Sequence, residues 1–109
     1  MKLDIVNALY SLAQQYRLAI FRALVEAGPD GLTAGRIGEI AGISPSSVSF
    51  HMKGLLLADM VASRSEGRYV IYTANFDAIN ELVSFLTENC CGGKQCLPAM
   101  SCKPKRKKQ

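Results

Sequence analysis

Apolar residues recur at intervals of three and four along most of this chain and give way to two short strand-like runs beyond residue 60. The first period covers residues 3–13, where Leu3, Val6, Leu9, Tyr10 and Ala13 share helical spacing. A second helix is predicted from Gln14, with Leu18, Ile20, Phe21, Leu24 and Val25 as its apolar face, until Gly28-Pro29-Asp30-Gly31 breaks it. Thr33 has the chemistry of an N-cap, because its hydroxyl can accept an otherwise orphaned amide of the next helix. That helix, residues 34–41, points Ile37 and Ile40 inward. Gly42-Ile43-Ser44 is a tight turn, Ser44 a second cap, and Pro45 a first helical residue whose missing donor is not needed there. The following helix spans residues 45–58 and buries Val48, Met52, Leu55 and Leu56. Strands at 61–64 and 69–72 flank a turn over Ser65-Glu66-Gly67-Arg68. A last helix, residues 76–89, carries Ile79, Leu82, Val83 and Leu86 at three-and-four spacing.

Two helices joined by a three-residue turn, followed by a basic-tipped hairpin, predict a mainly α fold with a β-hairpin wing, a winged helix-turn-helix. Residues 1–89 form its body and residues 90–109 a separate segment. The second helix of the pair is the one that fits a major groove, with the wing beside it on a minor groove or on phosphates. Its expected exposed face carries Ser46, Ser47, Ser49, Phe50, His51 and Lys53, short hydroxyls and an amine suited to phosphates and base edges. Arg64 and Arg68 bracket the wing turn and are expected to face the duplex. The same residues admit plainer roles: the hairpins as a protein-interaction scaffold, His51 as a structural hydrogen-bonding group, Phe50 as core.

Charge adds little to this case. Of 13 basic residues, Lys103, Lys105, Arg106, Lys107 and Lys108 stand in the tail, which leaves 8 against 9 acidic residues in the rest. The net charge of +4 therefore belongs to the tail, usually a solvated end and otherwise a source of nonspecific DNA affinity. With 49% hydrophobic and 20% charged residues the chain is globular rather than disordered. A 109-residue domain buries only about 60–70% of its unfolded surface, so pairing with a second copy is a ready way to bury more. Apolar runs are interrupted well short of the roughly 18 residues a membrane span needs. The start Met1-Lys2-Leu3-Asp4 opens an amphipathic run rather than a signal peptide, so a cytoplasmic protein without membrane contact is expected.

All four cysteines, Cys90, Cys91, Cys96 and Cys102, fall in the last fifth of the chain. A disulfide framework would spread its bridges over the fold, and a reducing compartment keeps thiols free. Clustering therefore points to soft-metal binding or redox sensing. The spacing is not the paired C-x₂-C pattern of structural zinc.

Three segments carry a resemblance: Tyr16-Arg17-Leu18-Ala19-Ile20-Phe21-Arg22-Ala23-Leu24, Ser49-Phe50-His51-Met52-Lys53-Gly54-Leu55 and Glu66-Gly67-Arg68-Tyr69-Val70-Ile71-Tyr72. Together they resemble the ArsR/SmtB family of metal-responsive repressors over nearly the whole chain to Asn89. The resemblance implies a homodimer through the first and last helices that binds a palindromic operator, with Ser47, Ser49, His51 and Lys53 on the reading helix and Arg64 and Arg68 on the wing. The family's arsenic site at the start of the first helix of the pair has no counterpart, since Leu32-Thr33-Ala34-Gly35-Arg36-Ile37 contains no sulfur. Its zinc site on the last helix finds Asp77 and Glu81 but no histidine, His51 being the only one. Leu86-Thr87-Glu88-Asn89 with the cysteine pair resembles arsenic-responsive members whose site lies just past the last helix, which implies Cys90, Cys91 and Cys96 as ligands with Cys102 an alternative third. The implied inducer is As(III), with Sb(III) second, and no constitutive cofactor is expected.

The chemistry agrees with that carry-over. Thiolates suit a thiophilic centre, Gly92 and Gly93 let the chain fold back toward the pair, and Lys94 favours thiolate formation. A redox sensor, a cadmium- or zinc-responsive repressor, and a thiol redox or metal-transfer protein that does not bind DNA remain the alternatives.

Overall fold

The computed structural model describes residues 3–93. In chain order they form α1 (Ile5–Leu12), α2 (Gln15–Ala27), a 3-10 turn (Gly28–Asp30), β1 (Leu32–Thr33), α3 (Ala34–Ala41), α4 (Pro45–Leu57), β2 (Val61–Glu66), β3 (Tyr69–Ala74), α5 (Phe76–Leu86) and a second 3-10 turn (Cys90–Gly93). The fold is mainly helical with a hairpin wing, as the hydrophobic pattern predicts.

Every α-helix starts on a side chain that accepts an orphaned amide. Asp4 takes the Asn7 N–H, Gln14 those of Tyr16 and Arg17, Thr33 that of Arg36, Ser44 that of Ser47 and Asn75 that of Ala78. Each such cap is worth about 1 kcal/mol of local stability. Gly42 closes α3 in the left-handed conformation, φ 69° and ψ 37°, and its amide bonds the Gly38 carbonyl at 2.8 Å.

The core lies where α2, α3 and α4 meet the hairpin base. Ile20, Leu24, Ile37, Val48, Met52, Leu55 and Met60 are its most deeply buried large side chains. Ile40, expected to point inward, is exposed, because the eight-residue α3 buries a single large side chain, Ile37.

The strands form an antiparallel sheet in the order β1-β3-β2. β1 is absent from the sequence-based expectation: two residues show no period, yet Leu32 pairs Tyr72 and Thr33 pairs Ile71. Gly31 makes that pairing feasible. Its φ is +71°, and a Cβ there would collide with the Tyr72 carbonyl and the Ile71 side chain. The hairpin is longer than expected and its turn shorter, since Glu66 pairs Tyr69 and only Gly67 and Arg68 form the loop. A positive φ of 62° at Gly67 suits the two-residue turn that matches strand twist.

α5 ends at Leu86, three residues before the expected boundary. The Thr87 hydroxyl donates to the Val83 carbonyl at 2.8 Å, and Asn89 turns left-handed at φ 57°. The residue before the α1 cap is tied to α5, where the Leu3 amide donates to Glu81 Oε2 at 3.0 Å. α1 buries Ala8 and Ser11 against its own chain and presents Val6, Leu9 and Tyr10 outward.

Candidate nucleic-acid interface and cysteine segment

α4 is built to hold its first turn still. Ser44 accepts the Ser47 amide at 3.2 Å, its hydroxyl donates to Ser47 Oγ at 3.1 Å, and Ser46 Oγ lies 3.3 Å away. Pro45 fixes φ at the first helical position. Val48, Met52 and Leu55 anchor one side of the helix in the core. Ser49, Phe50 and Lys53 stand three, four and seven residues after Ser46, and all four lie exposed on the other side, with Ser47 half-buried beside them. Phe50 therefore belongs to the surface and not to the core.

His51 does not share that exposed face. It is only 8% exposed, with its ring 5.8 Å from Tyr16 and 5.3 Å, edge-on, from Phe50. Its Nδ1 stands 3.3 Å from an Arg17 guanidinium nitrogen. Burial and then the Arg17 charge hold its pKa below the ordinary imidazole range. The physical reason for the displacement is α2, whose Tyr16 and Arg17 close over a position that helical periodicity alone leaves open.

The wing arginines also separate. Arg64 donates from Nε to Glu66 at 2.8 Å and from its terminal nitrogens to the Pro29 and Asp30 carbonyls at 3.1 and 3.2 Å. It braces the wing against the turn before β1 instead of bracketing the loop. Arg68 sits in the two-residue loop itself and is exposed.

The cysteine segment follows α5 directly. Cys90 is half-buried and Cys91 exposed, with their sulfurs 3.8 Å apart. Cys91 takes a left-handed backbone, φ 54°, and its sulfur is disulfide-bonded. Among the described residues no three metal-ligating side chains converge. Cys96, Cys102 and the basic residues from Lys103 on lie outside the described residues. Glu81, one of the two carboxylates on the last helix, is taken up by the Leu3 amide. No helix among the described residues is long and apolar enough to cross a membrane.

A capped helix-turn-helix with a braced hairpin beside it defines a DNA-binding regulator of the winged helix-turn-helix class. A helix-turn-helix domain model matches residues 12–64. The arsenical resistance operon repressor of Bacillus subtilis (strain 168) is 32% identical over 81 residues, spanning 74% of this chain and 73% of that one. The chain belongs to the ArsR/SmtB family and is a regulator of transcription rather than an enzyme. An ArsR-like transcriptional regulator from Rhodococcus sp. RHA1 superposes with a TM-score of 0.67 at 21% identity, covering 75% of this chain and 74% of that one. A homodimeric winged helix-turn-helix DNA-binding domain from Mycobacterium bovis, a possible ArsR-family regulator solved by NMR, superposes with a TM-score of 0.63 at 19% identity. That match covers 85% of this chain and 86% of the other. Both share the fold.

Sequence reasoning had no signal for Arg17 as a partner of His51, nor for Arg64 as a brace, because each contact joins distant parts of the chain. Asn75, which caps α5 and also donates to the Asp59 carbonyl at 2.8 Å, was within reach: an Asn directly before an apolar helical run is a cap signal.

Proposed function

We propose that this regulator is a homodimeric repressor whose α4 helices read operator DNA and which releases it when As(III), or Sb(III), is captured by Cys90, Cys91 and Cys96. Cys102 is the alternative third ligand. The observation that carries the reading is the sulfur pair, 3.8 Å apart, set immediately beyond a helix that exposes Val83, Phe85 and Leu86. One centre can bond both sulfurs, since that gap is shorter than two metal–thiolate bonds of about 2.3 Å each. The exposed residues of α5 and the exposed Val6, Leu9 and Tyr10 of α1 supply an apolar face for a second copy. The homodimeric state of the M. bovis domain supports that arrangement. Ser46, Ser47, Ser49, Lys53 and Arg68 are the DNA contacts in this reading, with Arg64 holding the wing in place. His51 acts from beneath the reading face.

Capture is a ligand exchange: three thiols displace the three hydroxyl groups of arsenous acid, and three waters leave. Cys91 must be a thiol for this, so its disulfide has to be reduced first. That same disulfide favours a second reading, in which oxidation and reduction at Cys91 set the affinity for DNA without a metalloid.

Fluorescence anisotropy of the reduced protein on DNA from upstream of its own gene separates these readings. Arsenite is expected to loosen binding roughly 5–150-fold, the range of ordinary allosteric coupling. Antimonite should follow, with zinc and cadmium weaker. The Cys90→Ser, Cys91→Ser double variant should bind DNA normally and ignore arsenite. Release by oxidant alone, with no arsenite response, would favour the redox reading.

A further inference from the structure

We infer that Arg17 and His51 form a positioning strut that ties α1 to the reading helix, so that the pitch of α4 depends on a neutral His51. Arg17 leaves α2 and reaches two other helices at once. Its Nε donates to the Ser11 carbonyl of α1 at 2.7 Å, and its terminal nitrogen meets His51 Nδ1 of α4 at 3.3 Å. Its stem passes over Gly54, one turn further along α4. The guanidinium lines a cleft of about 280 Å³ between α1 and α4 that Asn7, Tyr10 and Leu57 also line. One half-buried side chain therefore spans the first helix and the reading helix.

The chemistry of the contact fixes a protonation state. A guanidinium only donates, so Nδ1 must offer its lone pair and the ring proton must sit on Nε2. Adding a second proton turns Nδ1 into a donor facing a donor and places two positive charges together. The groups facing this ring are Arg17 and Tyr16 of α2 and Phe50 of its own helix, while Tyr10 of α1 lines the same cleft and Lys53 lies on the outer face of α4. Burial and the Arg17 charge both disfavour the protonated ring. The folded pKa lies below the unfolded one, so this contribution is fully present above the ordinary histidine range. It is lost as pH falls from there through the folded value. If α1 packs on a second copy, as the proposed function has it, the strut also carries the dimer arrangement to the reading helix.

The inference rests on that proposed function for its DNA arm and has an independent arm without DNA. His51 is the only histidine, so one imidazole signal reports the site in nitrogen NMR of the full chain. The ring is expected as the Nε2–H tautomer, protonating below the ordinary range, and Arg17→Gln should move that titration upward. On DNA from upstream of its own gene, affinity should hold through the ordinary histidine range and fall as pH drops below it, where the lowered folded pKa lies. His51→Gln, which can still accept from Arg17, should keep affinity at the higher pH and flatten the profile. Arg17→Gln should weaken binding roughly tenfold at the higher pH, within the span of ordinary coupling, and Arg17→Lys should restore only part of it. If the wild-type chain ignores the DNA fragment, the proposed function fails while the NMR arm still decides the strut. An Nδ1–H tautomer, or a His51 titration unmoved by Arg17→Gln, would overturn the inference. So would a DNA affinity indifferent to Arg17→Gln and to pH in a chain that does bind.

Discussion

The first turn of α4 and the turn beyond α5 are both runs of small residues, and they differ in what holds them. Ser44 to Ser49 start on a capping hydroxyl and a proline and sit over Val48, Met52 and Leu55, each at most 1% exposed. Asn89 to Gly93 are held differently, in part by the disulfide at Cys91. They are organised by the Cys90 amide on the Thr87 carbonyl, the Gly92 amide on the Asn89 carbonyl, and left-handed backbone at Asn89 and Cys91. The lesson is a division of work. A surface that reads DNA must be fixed before it binds, because ordering it on contact would subtract from affinity. In the proposed function the cysteine segment is instead redrawn on capture, once the Cys91 disulfide is reduced. The α5 residues between the two kinds of structure remain exposed on one side.

The contrast can be broken or sharpened by substitution, with the largest effect expected at the floor of the reading helix. Leu55→Ala removes a fully buried side chain and should lower stability by about 2–5 kcal/mol in urea unfolding, taking DNA binding with it. Gly31→Ala should lower it by roughly 1–3 kcal/mol, because a left-handed residue acquires a Cβ pressed on the Tyr72 carbonyl. Ser44→Ala should remove about 1 kcal/mol and fray the first turn of α4, measured as faster amide exchange at Ser46 and Ser47. Cys90→Ser should change stability by no more than about 0.5 kcal/mol yet abolish the arsenite response. If Cys90→Ser instead unfolded the reading helix, the division of work between the two regions would be wrong.

The sequence was most informative where structure is decided locally. Thr33, Ser44 and Pro45 could be assigned because a cap acts on the three residues after it, and Gly42 because a left-handed stop suits glycine. Long-range structure was less accessible. β1 is two residues that become a strand only because β3 lies beside them. His51 carries the spacing of a reading-face residue, and only the arrival of Tyr16 and Arg17 from α2 removes it from solvent. Arg64 reads as a wing charge until the Pro29 and Asp30 carbonyls, more than thirty residues away, take up its guanidinium. The early end of α5 lies between the two cases: Thr87 and Asn89 are local signals, weaker than the apolar period that runs through them.

The central claim is that sulfur chemistry after α5 and DNA contact at α4 are thermodynamically coupled. Coupling is reciprocal, so whatever factor arsenite removes from DNA affinity, DNA must remove from arsenite affinity. The direct measurement is arsenite binding to the reduced protein by calorimetry, alone and saturated with its upstream DNA. The account predicts weaker arsenite binding to the DNA-bound protein, by the same factor seen in the anisotropy titration. Equal arsenite affinity with and without DNA would contradict it.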